Sequence, residues 1–164
     1  MAIVLKPKRS EISIFGEKDA YFIYENILLV CESDRKAYGD EIILYDASTK
    51  VNASVPFCFE YKDYDVKMQN PQDNVFYFSA DTIKQGTKRK HSKIVMKWYK
   101  HLRNAFAHNY IRKENGVYVF EDYYDEEISP NNQTKKKTRR VLYARILSLD
   151  DFKNLIKEVK SNLK

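Results

Sequence analysis

The ten residues HLRNAFAHNY, positions 101 to 110, concentrate the side chains of this chain that suit proton transfer beside a phosphate. They include two of its three histidines. The guanidinium of Arg103 is a permanent cation whose planar fork matches phosphate oxygens, and the imidazole of His108 can exchange protons near neutral pH. Together these two residue types suit the cleavage of a phosphodiester bond.

The spacing of acids and histidines favours a reaction without a metal. Cleavage of RNA by its own 2′-hydroxyl requires proton transfer, stabilisation of the anionic phosphorus and in-line alignment. A metal-dependent reaction would instead need a carboxylate cluster, and the acids of FEDYYDEE (120–127) fall on a predicted strand, where neighbours point to opposite faces. His101 and His108 would lie about 10 Å apart along a helix, too far to share a metal. No metal or cofactor is expected.

A structural interpretation of the same residues is also open. On a helix, His101, Asn104 and His108 lie close to one face, whereas Arg103, five residues before His108, points well around the helix. His108 could be only a cation at the C-terminal end of a packed helix, and Asn104 only a surface amide. Spacing alone does not decide between this and a catalytic role.

Composition indicates one soluble domain covering residues 1–164. Apolar residues make up 43% of the chain and charged residues 32%, enough for a core beneath a well-solvated surface. The net charge of +6 favours an anionic partner such as a nucleic acid. Cys31 and Cys58 match no metal or redox spacing, and no apolar run is long enough to span a membrane. A cytoplasmic protein is expected.

The N-terminal half is predicted to contain a helix and short strands. Apolar residues recur at three- and four-residue steps from Glu17 to about Lys36, which predicts a helix. Branched and aromatic residues favour strands in EIILYDAS (41–48), SVPFCFEYKDYDV (54–66) and VFYFS (75–79), with a turn at NPQDN (70–74). The pairing of these strands is left open.

The C-terminal half has clearer signals. A broad apolar stripe predicts a helix over residues 92–109, which Asn109 can close in the left-handed conformation. After a turn at KENG, the runs VYVFEDYYDEE (117–127) and RRVLYARILSL (139–149) predict a long hairpin. A final amphipathic helix begins at Ser148 as its cap.

The segment RNAFAH (103–108) resembles the R-N-x-x-x-H signature of HEPN-domain ribonucleases. The context is similar too, since the motif ends an apolar helix dotted with lysine and arginine and is followed by a β-rich segment and a closing helix. The resemblance covers about residues 90–160. Asn109 stands where glycine is frequent in the family. The expected fold class is α+β, with a helical HEPN-like core, a β-hairpin after the motif helix and additional short strands in the N-terminal half.

The resemblance implies a metal-independent endoribonuclease whose two motif copies face each other across a homodimer. Arg103 would stabilise the transition state, His108 would transfer protons, and Asn104 would orient them, leaving cyclic-phosphate and 5′-hydroxyl ends. Members serve as toxins or in phage defence, so an antitoxin or defence-system partner is implied. In one toxin branch a nucleotidyltransferase antitoxin modifies the tyrosine of R-x-x-x-x-H-x-Y, which makes Tyr110 a predicted regulatory position.

Further residues are candidates around the motif. The basic run KRKHSKIVMKWYKHLR (88–103) leads into it and contains no acid. We expect three lysines of this run to guide the RNA backbone: Lys93, Lys97 and Lys100. Glu25 and Glu32, on the first predicted helix, are candidate acidic helpers. The alternative function is a non-catalytic HEPN-like module that binds RNA or dimerises.

Overall fold

The computed structural model describes residues 14–29, 56–62, 66, 69–79, 98–128 and 135–162. Within these ranges the helices are α1 (Glu17–Ile23), α2 (Trp98–Ala107) and α3 (Leu149–Asn162), and a π-helix (Tyr24–Leu28) follows α1 directly. The strands are β1 (Cys58–Lys62), β2 (Val75–Ser79), β3 (Ile111–Glu114), β4 (Val117–Ile128) and β5 (Lys135–Ile146). The fold of these elements is α+β, as predicted.

The five strands form one sheet in the order β1-β2-β5-β4-β3. Four of them, β2, β5, β4 and β3, pair antiparallel, and β1 lies parallel to β2. Every residue of β2 is buried, which explains its continuous apolar and aromatic sequence VFYFS. The sheet therefore joins strands from both halves of the chain.

The connection from β3 to β4 is a two-residue turn formed by Asn115 and Gly116. Both have a positive φ, at 50° and 81°. Two consecutive left-handed residues make the tight hairpin turn whose twist matches that of its flanking strands, and the pair Asn-Gly is strongly preferred there. The predicted turn at KENG is thereby confirmed, and it fixes Glu114 opposite Val117.

The longest pairing joins β4 to β5 and confirms the predicted hairpin; its tip, residues 129–134, lies outside the described residues. The register shifts once, between Asp122 and Tyr123: Asp122 pairs with Leu142, but Tyr123 pairs with Arg140. Val141 is thus an additional residue in β5. Such a β-bulge bends the strand and changes where nearby side chains point.

One face of the sheet carries the main core. Leu102 and Ala105 of α2 are fully buried there, and Phe120 of β4 lies 5.1 Å from the ring centroids of both Phe106 and Phe152. The buried residues of α1, the π-helix and α3 belong to the same cluster. The described helices therefore cover one face of the sheet.

A smaller cluster occupies the opposite face. It consists of Val66, Val75, Tyr77, Val119 and Tyr143. Because strand residues alternate between faces, Phe120 and Asp122 share the helix-covered face of β4, while Val119 and Glu121 point to the other. This division decides which partners each acid of β4 can reach.

Several predicted elements are confirmed and others lie outside the described residues. The helix predicted from Glu17 begins as predicted, but it changes to a π-helix at Tyr24. The positive φ of Asn70 and Asn74 confirms the NPQDN turn. The strand predicted at 41–48 and the first part of the helix predicted at 92–109 are not described. No helix within the described ranges is long and apolar enough to cross a membrane.

Candidate functional site

Helix α2 ends in a geometry that presents its last residues at the surface. Asn109 has φ 57°, its N–H donates to the carbonyl of Phe106 (3.2 Å), and the N–H of Tyr110 donates to the carbonyl of Ala105 (2.9 Å). This pair of bonds around a left-handed residue is the Schellman motif, which satisfies the last carbonyls of a helix. Asparagine, like glycine, tolerates that backbone, so Asn109 can close the helix as predicted.

A hydrogen-bonded network begins at Arg103. Its Nη1 donates to Oδ1 of Asn104 at 2.8 Å, and Nδ2 of Asn104 donates to Oδ2 of Asp122 at 3.3 Å. The Nδ1–H of His101 donates to the same oxygen of Asp122 at 2.8 Å. The amide of Asn104 thus connects the cation of Arg103 to a carboxylate on β4.

Asp122 is the buried centre of this network. Asp122 is 2% exposed and His101 is 5% exposed, whereas Arg103 and Asn104 are half-buried. A buried carboxylate is stable only when hydrogen-bond donors surround it. Here Oδ2 of Asp122 accepts hydrogen bonds from both the imidazole of His101 and the amide of Asn104. The network therefore runs from a buried anion outward to the guanidinium.

His108 takes part in a different set of contacts. Its exposed side chain lies against the ring of Tyr110, with centroids 5.6 Å apart and the planes inclined by 33°. Tyr110 is 9% exposed and meets Tyr123 edge to face at 5.4 Å. The imidazole is thus accessible to a ligand while one side of it rests on a buried aromatic ring.

Glu121, the neighbour of Asp122, lies in an ionic cluster on the opposite face. It is 1% exposed, pairs with Arg112 (3.0 Å) and Arg140 (3.5 Å), and accepts the hydroxyl hydrogen of Tyr123. Burial, together with the hydrogen bond and the charge of Glu121, raises the pKa of Tyr123 to about 12. Burial works against the charge of Arg112, but Glu121 and Glu114 outweigh it and raise the pKa of that guanidinium.

The structure divides the predicted site residues into two groups. Arg103 and Asn104 share the network with His101, whereas His108 stands beyond the last residue of α2, beside Tyr110. His101, Asn104 and His108 were expected near one face; the first two bind the same carboxylate, but His108 lies where the chain leaves the helix. The three therefore do not form one cluster.

The remaining candidates are placed less closely. Lys93, Lys97 and Glu32 lie outside the described residues, and Lys100 lies on α2. Glu25 is exposed in the π-helix. Within the described ranges, no three histidine, cysteine, aspartate or glutamate side chains form a group that could hold a metal.

The sequence did not identify Asp122 or Tyr123 as parts of the site. Alternation on β4 correctly predicts that Glu121 and Asp122 point to opposite faces. It does not reveal that the face of Asp122 is the one covered by α2, because that depends on how the strand packs. The proximity of an acid to a helix 18 residues earlier in the chain is a tertiary feature.

Comparison of the chain with models of known protein families, with curated proteins and with solved structures finds no match.

Proposed function

We propose that the chain is a metal-independent endoribonuclease of the HEPN type, which cleaves RNA at a composite site formed across a homodimer. The observation that carries the proposal is an oriented cation and an accessible imidazole at the end of one helix: Arg103 is held by Asn104, and His108 is exposed beside Tyr110. The resemblance of RNAFAH to the family signature adds the reaction type.

The arrangement supplies the groups that transesterification of RNA requires. The 2′-oxygen attacks phosphorus and releases its proton to a base, the bond from phosphorus to the 5′-oxygen breaks, and that oxygen takes up a proton. His108 is the proton-transfer group, and the guanidinium of Arg103 neutralises the charge on the phosphorus oxygens. The products are a 2′,3′-cyclic phosphate and a 5′-hydroxyl.

The positions of Arg103 and His108 favour a site shared between two chains. Residues five apart on a helix point about 140° from each other, since each residue turns the helix by about 100°. In one chain Arg103 is tied toward Asn104 and β4, whereas His108 lies against Tyr110 at the helix end. If two such helix ends meet, Arg103 of one chain and His108 of its partner can approach the same phosphate.

The resemblance to HEPN ribonucleases also implies a fold, a cellular role and a partner for this chain, and we include these in the proposal. Helices α1, α2 and α3 would correspond to parts of a HEPN-like helical core, and the protein would act in the cytoplasm as a toxin or phage-defence effector with an antitoxin or defence partner. Tyr110 remains the predicted regulatory position. Because it is 9% exposed, any group added to it would have to fit beside the rings of His108 and Tyr123.

The experiment incubates purified protein with end-labelled RNA in EDTA and identifies the product ends. We expect cyclic-phosphate ends from the parent chain. Since one acid–base group typically contributes about 10²–10⁴ in rate, His108→Ala should nearly abolish them. Arg103→Ala should do the same without loss of the folded state.

Arg145→Ala is the matched arginine control. Arg145 lies on β5, far from the motif in sequence, and it forms an ion pair with Asp73 at 2.9 Å. Its replacement should leave cleavage at the parent rate. The proposal is wrong if the parent makes no cyclic-phosphate ends, or if His108→Ala cuts as well as the parent. RNA that only shifts on a gel would support the non-catalytic RNA-binding alternative instead.

A further inference from the structure

We propose that β4 positions both halves of the motif: Asp122 orients Arg103 through Asn104, and Tyr123 orients His108 through Tyr110. The inference rests on the proposed function and extends it to two residues that the motif does not contain. Both would be positioning residues, since each reaches the reacting groups only through another side chain.

The first arm lies on the helix-covered face of the sheet. Asn104 can donate through Nδ2 and accept through Oδ1, and both groups are used: Nδ2 to Asp122 at 3.3 Å, Oδ1 from Arg103 at 2.8 Å. The bond to a carboxylate, which only accepts, fixes which way the amide faces. Asp122 thereby sets which side of Asn104 presents an oxygen to the guanidinium.

Asp122 is suited to this task because it cannot move freely. It is 2% exposed, it pairs with Leu142 of β5, and the Nδ1–H of His101 donates to the same oxygen at 2.8 Å. His101 consequently has a role that differs from direct chemistry: it anchors the carboxylate that anchors Asn104.

The second arm lies on the other face. The ring of Tyr123 meets Tyr110 edge to face at 5.4 Å, and Tyr110 lies 5.6 Å from the imidazole of His108. The backbone fixes the middle ring as well, since the N–H of Glu121 donates to the carbonyl of Tyr110 at 3.0 Å. His108 therefore contacts the ring of Tyr110, and Tyr110 is in turn held by its contacts with Tyr123 and the backbone of Glu121 on β4.

Adjacent strand residues reach the two arms because they point to opposite faces. The β-bulge lies opposite this pair, since its additional residue, Val141 of β5, falls between the partners of Asp122 and Tyr123. Bulges change the direction of side chains and are common next to functional sites. The shift in the β4–β5 register thus occurs at the two residues from which the two arms start.

The test of the first arm uses the side-chain NMR signals of the Arg103 guanidinium and single-turnover cleavage of RNA. Asp122→Ala should free the amide of Asn104, so that the guanidinium of Arg103 rotates faster and its separate Nη signals merge into an average. It should slow cleavage about 10- to 100-fold, because small misplacements of a reacting group cost rate on that order. In an Asn104→Ala chain, Asp122→Ala should slow cleavage further by less than about threefold, since both changes break the same connection.

The second arm is tested with matched replacements of one ring. Tyr123→Leu removes the edge that supports Tyr110 and should shift the ring-proton signals of His108 while those of Arg103 stay in place. Tyr123→Phe keeps the edge and loses only the hydroxyl that Glu121 accepts, so both sets of signals should stay at their parent positions.

The outcomes separate this inference from the proposed function. If the parent makes no cyclic-phosphate ends but the two arms respond as described, the proposed function fails and the positioning stands. The positioning by β4 is wrong if the parent cleaves RNA but Asp122→Ala leaves the Arg103 signals unchanged and Tyr123→Leu leaves the His108 signals unchanged. Should Asp122→Ala not fold, Asn104→Ala leaves the bond between Asp122 and His101 intact, and unchanged Arg103 signals in that variant would overturn the first arm.

Discussion

At the scale of single residues, neighbouring acids of one strand have distinct roles. Asp122 binds the imidazole of His101 and the amide of Asn104, while Glu121 on the opposite face balances Arg112 and Arg140. A buried carboxylate requires such partners, because desolvation of an unpaired charge costs several kcal/mol. The alternation of a strand thus gives one acid to the candidate site and the other to the stability of the sheet.

The hydroxyl of Tyr123 gives a prediction about alkaline pH. Burial and the neighbouring Glu121 raise the pKa of Tyr123 to about 12, above its ordinary value of 10.0. Between these two values the unfolded chain has released the phenolic proton and the folded chain retains it, so the free energy of unfolding falls as pH rises. The contribution of the protonated Tyr123 hydroxyl to the free energy of unfolding is fully present below pH 10.0 and is lost as the pH rises toward about 12.

Denaturant unfolding of the parent and of Tyr123→Phe measures this effect. From about pH 9 to about pH 11 the parent should lose more stability than the variant, because the variant has no proton to release at that position. A difference spectrum at high pH should also show one fewer late-titrating tyrosine in the variant. Equal slopes for the two chains would mean that Tyr123 titrates like an ordinary tyrosine.

At the scale of elements, the end of α2 depends on Asn109. Its φ of 57° is left-handed, a conformation that costs most L-residues about 1–2 kcal/mol. Asn109→Ala should lower the free energy of unfolding by about that amount, whereas Asn109→Gly should not. Chemical denaturation measures both. Asn154→Ala, an exposed asparagine within α3, is the control and should change stability little; equal losses at the two positions would refute the argument.

The start of α3 depends on Ser148 in a comparable way. The Oγ of Ser148 accepts the N–H of Asp151 at 3.3 Å, and its carbonyl accepts the N–H of Phe152 at 3.1 Å. Ser148→Ala should lower the free energy of unfolding by about 1 kcal/mol, and Ser148→Asp should restore it, because aspartate also caps helices. If alanine and aspartate give the same stability, the side-chain cap has no role.

Local signals in the sequence predicted these element ends, and long-range contacts were not predictable in the same way. Asn109 and Ser148 act through bonds within a few residues, so the local sequence is sufficient evidence for them. The strand VFYFS was predictable from its branched and aromatic residues alone. The parallel pairing of β1 with β2 and the meeting of Asp122 with Asn104 depend on packing between distant segments. The segment RNAFAH could therefore be recognised in the sequence, but the contact of Asn104 with β4 could not be predicted from it.

At the scale of the whole molecule, the charge of +6 predicts how RNA binding responds to salt. Each lysine contact with a single-stranded phosphate backbone contributes about 0.7 to the slope of log K against log salt concentration. Replacing Lys93, Lys97 and Lys100 together with glutamine should reduce that slope by about two units. Filter binding of the His108→Ala chain at several salt concentrations measures it without cleavage. A slope equal to that of His108→Ala alone would remove these lysines from the RNA interface.

The proposed composite site makes the most direct prediction, because two inactive chains should complement each other. Arg103→Ala and His108→Ala are each expected to be inactive as homodimers. When they are unfolded and refolded together in equal amounts, about half of the dimers are hybrids by random pairing. In each hybrid, Arg103 comes from the chain that lacks His108, and His108 comes from the chain that lacks Arg103.

The deciding measurement is the yield of cyclic-phosphate RNA ends from this mixture, with native mass spectrometry to show that hybrids are present. If the site is shared across the dimer, cleavage returns on mixing to a substantial fraction of the parent rate. If hybrids form and the mixture stays as inactive as either variant alone, Arg103 and His108 do not meet across two chains, and the proposed composite ribonuclease site is contradicted.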